Sequence, residues 1–166
     1  MDLSSSDQNF PKPPISFLDK TQRQITIKPY QGSPDALVDM YLAYEEPATR
    51  GLPPQTEEEI RDWLETYTEQ GENISARHNW QILGHAALLP HGNSAELVIF
   101  VHPEEQSKGI GSELIKALLG HGQAKGIENV WLSVDVDNLS LIRITTAVGF
   151  NPPENSHVEF KLSRDL

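Results

Sequence analysis

The residues best suited to chemistry lie in one short stretch, Gln106-Ser107-Lys108-Gly109-Ile110-Gly111-Ser112, which follows an apolar run ending at Val101 and opens a helical pattern. Glycine has no Cβ, so two of them at a helix start let the backbone close on a ligand. The first-turn N–H groups have no partner within the helix, and the helix dipole is positive at that end. Together they suit an anionic phosphate. Lys108 adds a positive charge to a loop that otherwise carries Glu104 and Glu105. The same glycine pair would also serve a plain strand-to-helix turn.

Two other phosphate-binding patterns fail on spacing. A dinucleotide motif wants a glycine three residues after Gly111, where Leu114 stands. Asp135 does fall where a ribose-binding acid would, but residues 102–108 separate Val101 from Gly109 and leave no tight turn. The Gly-Lys-Ser/Thr of a P-loop occurs nowhere.

The elements that must position this stretch follow from hydrophobic periodicity. Ile25, Ile27 and Tyr30 alternate with Thr26 and Lys28 and predict a strand. Ser33-Pro34-Asp35 reads as a helix start, followed by Leu37, Met40, Tyr41 and Tyr44 at helical spacing. After the break at Gly51-Leu52-Pro53-Pro54, Thr56 to Glu59 reads as a capping box leading into Ile60, Trp63, Leu64 and Tyr67, with Gly71 at the end. Strands over 73–78, 80–89 and 95–101 form an antiparallel meander, and Leu97 to Val101 is apolar on both faces, as in a central strand. Ile110, Leu114, Ile115, Leu118 and Leu119 make one helical stripe, and Val130 to Val134 a strand. Asn138 caps a helix closed by Gly149, and Val158 to Leu162 alternates as a last strand. The order is β-α-α-β-β-β-α-β-α-β, a mixed α/β sheet (α+β in its segregation) with helices on its faces. Residues 1–22, with Pro11, Pro13 and Pro14, read as a flexible or loosely docked leader, and 23–166 as a single domain. Trp63, Trp80 and Trp131 read as core.

Composition bounds the setting. At 166 residues there is room for one proper core and not two. The absence of cysteine excludes disulfides, thiol catalysis and thiolate metal sites, and the six histidines show no metal spacing. No run approaches the roughly 18 apolar residues of a membrane span, and the opening MDLSSSDQNF lacks the basic start and apolar stretch of a secretory signal. A cytoplasmic protein with no membrane partner is expected. The formal net charge of -11 argues against nucleic acid, which needs a basic face. Such a field would attract cationic substrates, and serves solubility or a salty cytoplasm equally well.

On these residues the sequence resembles the GNAT superfamily of N-acetyltransferases, over about residues 25–162 and most densely from Glu96 to Phe150. Gln106-Ser107-Lys108-Gly109-Ile110-Gly111 matches the family's Q/R-x-x-G-x-G/A pyrophosphate loop, Val101-His102-Pro103 the strand end before it, and Val134 to Asn138 followed by Gly149-Phe150 its second half-site. The resemblance implies a splayed central sheet and acetyl-CoA as cosubstrate, with no metal. Backbone N–H groups of Gln106, Ser107, Lys108, Gly109, Ile110, Gly111 and Ser112 would hold the pyrophosphate. The main chain at Phe100 and Val101 would pair with the pantetheine arm, and Asn138 would hydrogen-bond it. The amide of Val101 would polarise the thioester carbonyl.

An amine must lose a proton to attack a thioester, and relatives commonly use a glutamate for this. Glu96, on the strand face of Val98 and Phe100, is the candidate base or else a solvated strand-edge carboxylate; Asp135 and His102 are weaker. Many relatives protonate the departing thiolate with a tyrosine seven residues after the asparagine, but position 145 here is Thr. An aliphatic hydroxyl is a poor proton donor, while a thiol of pKa about 8.5 can leave unprotonated. Tyr41 and Tyr44 read as partial core. Residues 40–60 would line the acceptor site, with Arg50, Tyr41 and Glu45 as contacts. The expected activity is direct acetyl transfer to a primary amine, a small cationic amine or a protein amino group. Rival expectations are a non-catalytic coenzyme A sensor and a longer-chain acyltransferase, and a homodimer is compatible with any of them.

Overall fold

The computed structural model describes residues 9–48 and 51–151, together with the backbone of His157–Lys161. Its elements run β1 (Ile15–Leu18), β2 (Gln24–Tyr30), α1 (Asp35–Leu42), α2 (Glu57–Gln70), β3 (Glu72–His78), β4 (Gln81–His91), β5 (Ser94–Val101), a 3-10 turn at Pro103–Glu105, α3 (Ile110–Ala124), β6 (Asn129–Ser133), α4 (Leu139–Val148) and β7 (His157–Lys161). The seven strands form one sheet in sequence order. All neighbours are antiparallel except the parallel pair β5–β6. The mixed α/β arrangement and the predicted order of helices and strands are both present. No described helix is long and apolar enough to cross a membrane.

Local sequence explains most of the boundaries. Thr56 caps α2 by accepting from the Glu59 N–H at 3.2 Å, and its hydroxyl donates to the Glu59 carboxylate at 2.9 Å. Asn138 caps α4 by accepting from the Leu141 N–H at 3.2 Å. Gly149, at φ 121°, closes it. Helix α1 ends at Leu42, so Tyr44 lies beyond it in a turn.

Two cores sandwich the sheet. On one face Leu114, Ile115 and Leu118 of α3 meet Ile25, Ile27 and Ile74. On the other, Leu37 and Tyr41 of α1 with Ile60 and Leu64 of α2 meet Ala87, Val98 and Phe100. Each fully buried aliphatic side chain contributes about 2 kcal/mol. Strand β4, buried from Ile82 to Leu88, serves both cores. Gly84 is required there, because an added Cβ would lie 2.6 Å from the Leu114 side chain.

Two expectations are corrected. The stretch to residue 22 is not a loose leader over its described part. Strand β1 pairs with β2 in the register Ile15↔Ile27, Phe10 packs on the first core, and its N–H donates to Gln123 at 3.3 Å. Gly120 in α3 admits this strap, since a Cβ would run into the Pro11 carbonyl. Trp80 is not core: it sits in the β3–β4 turn at 93% exposure. Trp63 is half-buried among Tyr41, Tyr67 and Phe100.

Candidate functional site

The site begins where β5 loses a neighbour. In the β4–β5 ladder Val101 lies opposite Gly84 and Phe100 opposite His85, and the His102 N–H donates to the Leu83 carbonyl at 2.7 Å. Alternate residues of an antiparallel strand direct their N–H and C=O groups to the same side. Phe100 and His102 therefore face β4, while Ile99 and Val101 face the opposite way, toward β6. Pairing with β6 covers only Ser94 to Glu96 against Asn129 to Trp131. Beyond that rung the two strands part, as a splayed sheet requires, and the edge of β5 is open to an extended chain.

The loop after β5 turns back over this gap. His102 steadies it by accepting from the Glu104 N–H at 3.1 Å, a strand-end role. Ser107 and Gly109 both adopt positive φ, 65° and 93°. Changes of hand along a loop turn successive N–H groups to one side, a concavity for anions. Gly109 is the α3 N-cap and offers no side-chain cap to the first-turn N–H groups. At Gly111 a methyl would already lie 3.4 Å from Ile144 and 3.6 Å from Val101, so a larger side chain would close the passage between α3, α4 and β5.

A cleft of about 340 Å³ fills this space. It gathers Phe100 and Val101 from β5, Gln106, Ser107 and Gly109 from the loop, Gly111 and Ser112 from α3, and Asn138 at the head of α4. The Asn138 carbonyl oxygen is engaged in capping α4, which leaves its N–H groups for a ligand. Phe100 borders the cleft with its main chain directed to β4 and its ring packed against Tyr41, Tyr44 and Trp63, so its expected backbone pairing with the pantetheine arm is corrected: that side of β5 belongs to Ile99 and Val101. Lys108 and Ile110, expected to act through their backbone N–H groups, direct their side chains away from the cleft. The Ile110 side chain is core, 1% exposed. The Lys108 ammonium is held by the Glu105 carboxylate and the Glu104 carbonyl, each at 3.1 Å. Burial alone would push the Glu105 carboxyl up, but hydrogen bonds from Arg23 and Lys108 hold it below the ordinary range.

Glu96 does not line the cleft. It lies opposite Leu89 and Trp131, where the sheet is still closed. Its charge reaches Tyr67 on α2, whose hydroxyl is pushed up to about 12 by burial first and Glu96 second. At about 3.3 Å per strand residue, Val101 is on the order of 16 Å away. Thr145 is buried, and its hydroxyl donates to the Leu141 and Ile142 carbonyls at 2.9 and 3.1 Å. Tyr41 is also fully buried and touches no acceptor space. Its hydroxyl lies 2.6 Å from His85 Nδ1, His85 Nε2 lies 2.8 Å from Asn73 Oδ1, and Asn73 Nδ2 donates to the Tyr67 carbonyl at 2.6 Å. Because the Asn73 oxygen only accepts, His85 carries its proton on Nε2 and Tyr41 donates to Nδ1. Burial pushes His85 down to about 3, so it is neutral. Arg50 lies outside the described residues.

Three residues missed in the sequence border the cleft: Tyr44, Lys20 and Arg143. The Tyr44 hydroxyl donates to the Val101 carbonyl, which also accepts from Gln106 at 3.3 Å. Burial pushes this phenol up to about 12. A second hollow shares Tyr44, Gln106 and Asn138 with the cleft and is bordered by Glu45, Glu46 and Glu104. No group of metal-ligating side chains occurs among the described residues.

A mixed sheet in sequence order with one parallel pair, and a glycine loop entering a helix where that pair parts, differs from the doubly wound parallel sheet of a dinucleotide-binding fold. The chain belongs to the acetyltransferase (GNAT) family, whose model matches residues 37–150, and it is an acyltransferase of the N-acetyltransferase kind. Phosphinothricin N-acetyltransferase of Streptomyces coelicolor is 29% identical over 126 residues, covering 69% of this chain and 74% of that one. Among solved structures, the GNAT domain of S. lividans PAT shares the fold at a TM-score of 0.72 and 16% identity, covering 89% and 96% of the two chains. The yncA protein of Salmonella typhimurium, solved with its cofactor acetyl-CoA, follows at 0.68 and 16%, covering 85% and 95%.

Proposed function

We propose that this protein transfers an acetyl group from acetyl-CoA to a primary amine held in the same complex. The observation that carries the reading is the gap between β5 and β6, with the backbone groups of Ile99 and Val101 turned into it and the glycine loop at its end. The residues present fit coenzyme A. An extended pantetheine arm would extend β5 as an added strand, and its diphosphate would meet the uncapped N–H groups of α3. Acetyl-CoA supplies an activated acetyl carbon, and when the amine nitrogen bonds to that carbon the C–S bond breaks with its electron pair going to sulfur.

The chain's own groups have distinct parts in this. The Val101 N–H stabilises negative charge gathering on the carbonyl oxygen. Asn138 orients the arm through its amide N–H groups. Tyr44, donating its one hydroxyl proton to the Val101 carbonyl, fixes the strand end where the thioester would lie. Glu96 acts as base only through intervening water, given its distance along β5. Glu45, Glu46 and Glu104 around the adjoining hollow favour a cationic acceptor, a small amine or a protein amino group. A cysteine-free chain fits a cytoplasmic setting.

The buried hydroxyl of Thr145 favours a second reading, a coenzyme A sensor without turnover. An amine panel with acetyl-CoA, read by thiol release, separates the two: turnover supports the transferase, and tight binding with no thiol released supports the sensor. Gly109→Glu should abolish acetyl-CoA binding by calorimetry while the far-side core stays folded, because it strains a backbone held at φ 93° and sets a carboxylate beside phosphate. Unchanged affinity would remove the cofactor assignment.

A further inference from the structure

We propose that Lys20, carried on the turn after β1, is the cation that holds the cofactor's diphosphate at the glycine loop, with Arg143 of α4 as a second cation lining the same cleft. The inference rests on the coenzyme A reading above and adds a residue from outside the stretch that the family model matches. A chain of net charge -11 repels a polyanion at long range, so its few cations must be placed where the phosphates lie. The cleft shows that placement: among its described lining residues are two cations, Lys20 and Arg143, and no carboxylate.

The loop's own lysine cannot serve. Lys108 is bound to Glu105 and to the Glu104 carbonyl, and leaving that pair would take one of its two cations from a carboxylate that is 8% exposed. Lys20 takes its place in space. Its N–H donates to the Lys108 carbonyl at 2.9 Å, and its stem runs past Gly109, with Cγ and Cε 3.9 and 4.0 Å from where a Cβ would stand. Its ammonium makes no ion pair with the described residues.

The turn is held ready for this task. Asp19, 3% exposed, accepts from the Thr21 N–H at 2.9 Å, the Thr21 hydroxyl at 2.7 Å, the Arg23 N–H at 3.0 Å and the Arg23 Nε at 2.9 Å. Arg23 also reaches Glu105, and Glu105 takes Lys108. One run of hydrogen bonds therefore ties the turn at 19–23 to the loop at 103–109. A side chain on such a braced turn loses less freedom when it closes on a ligand.

Calorimetric titration with acetyl-CoA and with dephospho-CoA tests this. Dephospho-CoA lacks the 3′-phosphate but keeps the diphosphate. Lys20→Gln should weaken acetyl-CoA by about tenfold, with the loss shrinking as salt is added, while Lys20→Arg retains most of the affinity. The melting temperature should hold, since the changed group is exposed and the backbone bond to Lys108 remains. The same loss should appear with dephospho-CoA. A Lys20→Gln protein that binds as tightly as the wild type at low salt overturns the proposal, and so does a loss confined to acetyl-CoA, which would move Lys20 to the 3′-phosphate. Failure of the wild type to bind acetyl-CoA would instead bring down the cofactor reading itself.

Discussion

Val101 has one side chain and two backbone groups, and the proposed chemistry rests on the backbone groups. Its N–H faces the gap because its strand partner is Gly84 in a non-bonded pair, a consequence of register alone. Tyr44 sits against its carbonyl. A phenol near 12 would give its proton to a thiolate of pKa about 8.5 only uphill, by roughly 3 units. Tyr44 is therefore no proton donor to the departing sulfur: its one proton stays on the Val101 carbonyl, and its part is to hold the strand end in place. Tyr44→Phe should lower kcat by about tenfold without moving either limb of the pH–rate profile. Glu96→Gln should lower turnover by roughly a hundredfold, leave acetyl-CoA affinity intact and flatten the acid limb. If the profile keeps its shape, Glu96 is no base and belongs to the Tyr67 environment.

At the scale of elements, what the sequence made legible was local. Caps at Thr56 and Asn138 and the apolar stripe of α3 announce themselves within a few residues. The meander was readable from alternation and from the turns at Asn79 and Gly92. Strand β1 was not, because four residues preceded by three prolines resemble a linker and its justification lies elsewhere, in the β2 edge and in Gly120. The place where β5 and β6 part is likewise non-local; family resemblance pointed to it and periodicity could not. Trp80 shows the converse failure, since an aromatic residue beside a turn has no local mark of exposure. Gly120 is a direct test of the strap. Alanine would gain about 1 kcal/mol of helix propensity, yet its methyl would displace Pro11. Gly120→Ala should therefore lose about 1–3 kcal/mol net and speed hydrogen exchange at the Phe10 amide. A higher melting temperature with unchanged exchange would show that the strap contributes nothing.

Across the two neighbouring hollows charge is sorted: cations line the cleft and carboxylates the hollow beside it. The centre of the molecule holds a neutral histidine. His85 is near 3 when folded against about 6.5 when unfolded. The unfolded chain thus binds the extra proton between those values, and stability is complete above about 6.5 and lost as pH falls toward 3. The total is on the order of 4 kcal/mol. Asp19 and Glu105 act in the same direction lower down: burial raises each carboxyl, hydrogen bonds more than offset it, and their contribution goes as pH drops below the ordinary carboxylate range. Denaturant unfolding should show a steady decline from pH 7 to pH 4. Equal stability at pH 7 and pH 5 would mean that His85 is solvated. The brace between the first hairpin and the phosphate loop also sets how the gene can be cut. An enzyme shortened to its family signature would retain every glycine of the loop yet lack the hand that presses it shut. Fusions or tags joined just ahead of Phe10 would tug on the same fastening, and their first symptom would be a looser grip on nucleotide rather than a lower melting point.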